Sequence, residues 1–126
     1  KCRPDFLIKS KSGYICLEVD ENQHNRSEYT SEREDERMAK IYQDVQLINS
    51  GAKVLFIRYN PDKYEGAGYS DSDRLSYLHM VLTHFINIDD LVLRLSKVYL
   101  YYDGFDGNPQ LQPLNINTHL TLHISV

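Results

Sequence analysis

The segment KVLFIRY at residues 53–59 is a nearly continuous apolar run, with Arg58 as its one internal charge. Runs of this kind are typical of a central β-strand that is covered on both of its faces. The turn-forming residues Asn-Pro-Asp at 60–62 end the run. The segment therefore predicts a β-sheet with helices packed on both sides of it.

A helix is predicted on the amino-terminal side of this strand, over residues 31–49. Ser31 and Glu34 form the capping-box pattern S-x-x-E at its start, and Gly51 ends it. At about 100° per residue, its apolar side chains fall in an arc of roughly 120°, which predicts one buried face. The members of this arc are Met38, Ile41, Tyr42, Val45 and Ile48. Extended toward the amino terminus, the arc reaches Glu34 and Arg37, so both charged side chains are predicted to point toward the core.

The other predicted elements complete an alternating pattern. Strands are predicted at residues 5–9, 14–20 and 97–102, with an edge strand at 119–126, and SKSG at 10–13 joins the first two as a hairpin. A second helix is predicted to begin near Asp71 or Ser72. Its apolar positions are Leu75, Leu78, Val81, Leu82 and Phe85. The order β-β-α-β-α-β predicts a single α/β domain over residues 1–126, with a central mixed sheet flanked by helices.

The composition of the 126 residues excludes several classes of protein. A hydrophobic content of 41% with 25% charged residues is typical of a soluble globular domain, and no apolar run approaches the ~20 residues that span a bilayer. The net charge of -4 argues against a broad basic surface, but it is compatible with a local basic groove or with an acidic site whose bound metal ions cancel part of the charge. Two cysteines favour a reducing, intracellular compartment. Because the chain enters a strand almost directly after Lys1, we expect it to be a C-terminal fragment of a longer protein.

Acidic side chains gather at the end of the predicted hairpin. Because side chains alternate along a strand, Glu18 and Asp20 are predicted to project from one face, with Asp5 near the open end of the partner strand. Carboxylates, a backbone carbonyl and water are the hard oxygen ligands that Mg²⁺ requires. Such an ion supports hydrolysis of a phosphodiester, which the residues alone leave as one option among several.

The same residues resemble a nuclease signature. Pro4-Asp5, then twelve residues, then Glu18-Val19-Asp20 resemble the PD-(D/E)xK pattern, with Asp20 in place of the usual lysine. The longer pattern comprises RPDF at 3–6, EVDENQH at 18–24, E-x-x-RM at 34–38 and IRYNPD at 57–62. It resembles the restriction-endonuclease-like domains of large DNA viruses and some protists, and is similar, more distantly, to the very-short-patch mismatch-repair endonucleases. The resemblance covers residues 3–62, about half of the chain.

The resemblance implies a metal site. Asp5 and Glu18 are expected to be ligands of Mg²⁺, with Mn²⁺ as a substitute, and the backbone carbonyl of Val19 is expected to be a third ligand. Asp20 is expected among the catalytic residues, either as an additional ligand or as the residue that stands at the lysine position. In the mismatch-repair relatives a histidine takes over part of the lysine's role, and His24 occupies the equivalent place here. We therefore expect His24 to be catalytic, with a role in proton transfer.

Further side chains are expected beside the site. Gln23 is expected to hydrogen-bond water or substrate. Glu34 and Arg37, at i and i+3, either pair with each other on the helix surface or reach the site, and their inward direction favours the second interpretation. Arg37 would then position a carboxylate or contact a phosphate. Arg58, inside a buried strand, needs a partner and is expected to be structural.

The acids of the second motif also allow plainer interpretations. Glu18 follows an apolar strand, so its burial requires either a metal ion or a basic partner, and the metal is favoured. Asp20 and Glu21 are equally typical of a solvated strand end, and for Glu21 this interpretation is preferred.

The leading functional hypothesis is a Mg²⁺-dependent endodeoxyribonuclease, a hydrolase that cleaves phosphodiester bonds in DNA with a metal-activated water. One alternative is a catalytically inactive nuclease fold that binds nucleic acid or a protein partner, which the missing lysine and the acidic balance favour. Another is a Mg²⁺-dependent hydrolase of a different phosphate ester, for which no phosphate-cradling glycine loop is visible. The expected partner is DNA rather than a membrane, and a homodimer is compatible with the sequence. The expected location is the cytoplasm, the nucleus or a viral factory.

Overall fold

A computed structural model of the chain describes residues 4–20, 31–62, 68–102 and 105–114. Side chains are described in these ranges except at positions 31 and 32. The elements are β1 (Phe6–Lys9), β2 (Gly13–Val19), α1 (Ser31–Ile48), β3 (Lys53–Tyr59), α2 (Asp71–Asn87), β4 (Leu95–Leu100) and β5 (Gln112–Pro113). The predicted edge strand at 119–126 lies outside the described residues.

The five strands form one mixed sheet in the order β1-β2-β3-β4-β5. β2, β3 and β4 are parallel to one another, whereas β1 and β5 pair antiparallel at the two edges. Each parallel pair is connected through a helix, as parallel neighbours require. The prediction of an α/β domain with a mixed sheet is confirmed. The carboxyl ends of β2, β3 and β4 therefore meet at one edge of the sheet.

The two helices cover opposite faces of the sheet. On one face, α1 packs Met38 and Val45 against Cys16 and Phe56. On the other face, α2 contributes Leu78 and Val81 to a core with residues of β2, β3 and β4. Every residue from 54 to 59 is buried, which confirms the prediction that this strand is covered on both faces.

Two apolar residues predicted to be buried are exposed. Ile48, the last residue of α1, is 69% exposed, because the helix ends there and the chain turns at Gly51, whose φ is 86°. Leu75 is 58% exposed, whereas its neighbour Arg74 is only 6% exposed. Arg74 takes the inward position because its guanidinium donates to the backbone carbonyls of Asn60 and Asp62.

The carboxyl end of β4 also departs from the prediction, because the strand spans Leu95–Leu100 rather than residues 97–102. Tyr101 has a left-handed φ of 64°, which interrupts the alternation of side chains. As a result, Leu100 and Tyr101 both join the core on the α2 face, while Tyr102 reaches toward the α1 face. The short strand β5 was not predicted.

A close backbone contact joins β2 to β3. Gly13 pairs with Lys53 in the parallel ladder, and a Cβ atom at Gly13 would lie 2.3 Å from the carbonyl oxygen of Lys53. Only glycine fits this contact without a shift of the backbone. Gly13 therefore allows β2 and β3 to come this close together.

Within the described ranges, neither helix is long and apolar enough to cross a membrane.

Candidate functional site

Two hydrogen bonds clasp the first and second motifs together at the end of the β1–β2 hairpin. The backbone N–H of Asp5 donates to Glu18 Oε2 at 2.8 Å, and the backbone N–H of Val19 donates to Asp5 Oδ2 at 2.8 Å. The antiparallel register, in which Phe6 faces Leu17, brings Asp5 opposite Glu18. The predicted position of Asp5 beside the end of the second strand is confirmed, and the two carboxylates are held at one place.

The buried carboxylate of Glu18 has a basic partner. Glu18 is 3% exposed, and its Oε1 accepts a hydrogen bond from Nη1 of Arg37. The Arg37 side chain is 34% exposed, so it reaches this carboxylate from the edge of the site. The prediction that Arg37 points toward the acidic hairpin is confirmed. Of the two partners considered for Glu18, the structure contains the basic one, and its burial by itself does not require a metal ion.

Asp20 belongs to a buried network of charges. Its Oδ2 accepts a hydrogen bond from Arg58 Nε at 2.7 Å and another from the hydroxyl of Tyr102. Arg58 Nη2 also lies 3.5 Å from Glu34 Oε2, which confirms that Glu34 faces the site. Because Asp20 is 4% exposed, the interpretation of this residue as a solvated strand end is wrong. Glu21 lies outside the described residues.

The network fixes the protonation states of its donors. Burial alone would lower the pKa of Arg58, but the hydrogen bond and charge of Asp20, together with the charge of Glu34, raise it above its ordinary value. Burial and the hydrogen-bonded carboxylate of Asp20 raise the pKa of the Tyr102 hydroxyl. Both donors therefore stay protonated at neutral pH. Asp20 accepts hydrogen bonds from both of these donors, which suits it to positioning Arg58.

These residues surround one cavity of about 200 Å³. Its lining consists of Asp5, Glu18, Val19, Asp20, Glu34, Arg37 and Arg58. All six predicted site residues that the structure describes are therefore brought together. Gln23 and His24, the other two, lie outside the described residues.

Arg58, which lines this cavity, has an unsatisfied buried donor. Its side chain is 3% exposed, and its Nη1 has no hydrogen-bond acceptor in the described part of the chain. A buried N–H group without an acceptor is costly, at roughly 1–3 kcal/mol, and calls for an explanation. An oxygen atom of a bound anion is an acceptor that would satisfy it.

The donor set fits a hard divalent ion in its chemistry. Asp5 and Glu18 provide carboxylates, and each carboxylate has about four acceptor sites, more than the hydrogen bonds above use. Oxygen ligands completed by water are what Mg²⁺ prefers. Among the residues that the structure describes, no three His, Cys, Asp or Glu side chains form a ready-made metal cluster. An ion here would rest on two carboxylates, a backbone carbonyl and water.

Two contributions to the site were not predicted as such. Arg58 was expected to be structural, yet it lines the cavity; its sequence signal is a charge inside a buried apolar run. Tyr102 has no local signal, since it lies 82 residues from Asp20 in sequence. In the described ranges the cavity lining contains no lysine. Lys97 of β4, the strand next to β3, does not line the cavity and instead donates to Asp35 at 3.1 Å.

Comparisons with models of protein families, with curated proteins and with solved structures found no match to this chain.

Proposed function

We propose that this chain is a metal-dependent endonuclease of the restriction-endonuclease-like fold, which hydrolyses phosphodiester bonds in DNA. The motif resemblance over residues 3–62 supports this proposal, and the cavity supports it independently. The observation that carries it is the buried Arg58, which lines one cavity together with Asp5 and Glu18 and whose Nη1 lacks an acceptor among the described residues. A phosphodiester is an anion that needs such donors, and carboxylates bind the divalent ion that its hydrolysis uses.

In this proposal Asp5, Glu18 and the backbone carbonyl of Val19 hold Mg²⁺, or Mn²⁺ in its place. The ion supplies positive charge at the phosphate and lowers the pKa of water that it binds. The clasp between Asp5 and the β2 end keeps both carboxylates at one point before the ion arrives. Such preorganisation avoids a rearrangement at the moment of reaction.

The two arginines have different proposed roles. Arg58, fixed by Asp20 and Glu34, donates to a phosphate oxygen from a constant position. Arg37 is one-third exposed and rests on Glu18, so it can exchange this carboxylate for a phosphate oxygen when substrate and ion enter. His24 keeps its proposed role in proton transfer.

A second candidate function is a nuclease fold without activity that binds nucleic acid or a protein. One observation favours it: Glu18 and Asp20 already have protein partners in Arg37, Arg58 and Tyr102. Carboxylates held by arginine and tyrosine can serve as structural ion pairs with no metal. In that case the charged residues around the cavity stabilise the end of the sheet.

Incubation of the purified chain with plasmid DNA, single-stranded DNA and RNA separates these candidates. Each substrate is tested with Mg²⁺, Mn²⁺ or EDTA at a fixed salt concentration. The nuclease proposal expects cleavage with a divalent ion that EDTA and Asp5→Asn abolish. Asp44→Asn, which removes an exposed carboxylate on α1, is the matched control and should cleave normally. Binding of DNA without cleavage under all conditions would instead support the second candidate.

A further inference from the structure

A second cavity, of about 310 Å³, lies on the opposite face of the sheet, beyond the carboxyl end of β4. It is lined by Tyr69, Asp73, Tyr77, Tyr101, Phe105 and Gly107. Four of these six residues are aromatic, and one carries a carboxylate. The proposed nuclease chemistry uses none of them.

The aromatic rings form a cup around Tyr101, which is 2% exposed and forms its base. The rings of Tyr69, Tyr77 and Phe105 lie 5.5, 6.1 and 4.7 Å from the Tyr101 ring, centroid to centroid. Their planes are inclined to it by 70°, 77° and 58°, respectively. The rings are thus steep walls around one base rather than a flat stack.

Hydrogen bonds and backbone geometry hold the cup in place. The hydroxyl of Tyr77 donates to the carbonyl of Gly107 at 3.0 Å, and Asn60 Nδ2 donates to the carbonyl of Tyr101 at 2.9 Å. Gly107 has a φ of 93°, and a Cβ atom there would lie 3.2 Å from the hydroxyl of Tyr69. The left-handed Tyr101 turns its ring to this face. The walls are therefore arranged before a ligand enters, which favours binding.

Among the described residues, the cup contains one carboxylate. Asp73 lines the cavity, whereas Asp106 lines a neighbouring cavity that shares Phe105. Arg74 packs its guanidinium 4.6 Å from the Tyr101 ring centroid, and its donors reach the carbonyls of Asn60 and Asp62. The cluster thus already holds one cation against an aromatic face, and the carboxylate of Asp73 remains at the cup.

We propose that this aromatic cup binds a quaternary ammonium group. The faces of aromatic rings carry negative partial charge and attract cations, and cages of tyrosine and phenylalanine recognise methylated ammonium groups in this way. Methylation removes the N–H groups that keep an ammonium in water, so the group can enter a largely apolar cavity. The carboxylate of Asp73 adds attraction. It also disfavours a nucleotide, whose phosphate it would repel.

Calorimetric titration of the whole chain with choline tests the proposal against 3,3-dimethylbutan-1-ol, which has the same shape but no charge. Choline is expected to bind saturably and the neutral alcohol at least about tenfold more weakly, since charge is the attraction. A parallel pair, Nα-acetyl-trimethyl-lysine amide and its unmethylated counterpart, distinguishes a free small molecule from a modified side chain. The methylated member is expected to bind more tightly.

Variants place the binding in the cup. Tyr69→Ala is expected to weaken choline binding about tenfold, and Asp73→Asn to weaken it several-fold. Both residues are at the surface, so the fold should survive, which thermal unfolding verifies. Phe6→Ala, at an exposed aromatic residue of β1, should leave binding unchanged. Equal affinity for choline and the alcohol, binding of adenosine or cytidine instead of choline, or binding of none of these compounds would overturn the proposal.

Discussion

Arg58 and Asp20 form a buried ion pair across the ends of two parallel strands, with Nε 2.7 Å from Oδ2 and side chains 3% and 6% exposed. They are 38 residues apart in sequence. The pair connects the second motif, through Arg58, to Glu34 of helix α1. Through these two contacts, Arg58 of β3 joins the end of β2 to α1 at the candidate site.

Removal of one partner of this pair should destabilise the fold strongly. Arg58→Met leaves Asp20 charged and buried, and we expect the free energy of unfolding to fall by about 3–5 kcal/mol. The double variant with Asp20→Asn should lose less than the sum of the two single losses, because neither charge is then left alone. Chemical denaturation measures each value. Lys11→Met, which breaks the exposed pair with Asp89, is the control and should stay close to wild type.

Removal of Arg37 should change divalent-ion binding in a direction that a purely structural role does not predict. Arg37 occupies one oxygen of Glu18 and places a positive charge where the proposed ion would sit. We expect Arg37→Gln to bind Mn²⁺ about tenfold more tightly than wild type, which calorimetry measures. Arg33→Gln, at an exposed arginine four residues earlier on α1, should bind Mn²⁺ as wild type does. Weaker or unchanged Mn²⁺ binding in Arg37→Gln would contradict the proposed metal position.

Cys16 should make the fold sensitive to alkaline pH. Burial, with a contribution from the charge of Glu18, raises the pKa of its thiol from 9.0 to about 12, although Arg37 acts in the opposite direction. The folded state thus holds the thiol proton more tightly than the unfolded chain. The contribution of this proton to the free energy of unfolding is fully present below pH 9. It declines as the pH rises toward 12, by at most ~1.4 kcal/mol per pH unit.

Cys16→Ala isolates this contribution. The variant loses packing at every pH, so the stability difference between it and wild type should shrink steadily as the pH rises from 9 to 11. Buried tyrosines with raised pKa values, such as Tyr102, affect both proteins equally. A difference that stays constant across this range would show that the thiol does not titrate as expected.

The close contact at Gly13 predicts an intolerance of larger residues. A methyl group there would meet the carbonyl oxygen of Lys53 at 2.3 Å, so the two strands must separate. We expect Gly13→Ala to lower the free energy of unfolding by about 1–3 kcal/mol. Gly68→Ala is the matched control, because its added methyl meets nothing within 4 Å among the described atoms. It should be neutral or slightly stabilising.

His24 carries the prediction most specific to the nuclease proposal. If it transfers protons during cleavage, His24→Ala should reduce the cleavage rate by roughly 10²–10⁴-fold. Mn²⁺ affinity should change little, since Asp5 and Glu18 remain. The wild-type rate should rise with pH through the range near 6.5 if neutral imidazole is the base. His79→Ala, at an exposed histidine of α2, should cleave at the wild-type rate; equal rates for both variants would remove His24 from the mechanism.

The central part of the fold could be predicted because its signals are local. The apolar run at 53–59 and the helical spacing of Met38, Tyr42 and Val45 predict a sheet covered by helices, and the structure confirms both. The alternation of side chains along the second strand likewise predicts that Glu18 and Asp20 project from one face. These patterns depend only on the period of side chains along one element.

Other features depend on contacts that form only after folding. Arg74 displaces Leu75 from the buried face because the carbonyls of Asn60 and Asp62 are available to it, and helical spacing contains no information on those acceptors. Tyr102 reaches Asp20 because Tyr101 adopts a left-handed backbone conformation. This conformation usually favours glycine, so a tyrosine at this position gives no sequence signal for it. The residues that complete the buried network therefore could not be identified from spacing alone.

The order of the strands has a consequence for how the chain can fold during synthesis. Because the spatial order β1-β2-β3-β4-β5 is also the chain order, each new strand leaving the ribosome can pair with an edge that is already formed. The contact of Glu18 with Arg37 becomes available once α1 has emerged, whereas Asp20 gains Arg58 later and Tyr102 last. Completion of the charge network at Asp20 thus marks the stage at which the parallel core has assembled.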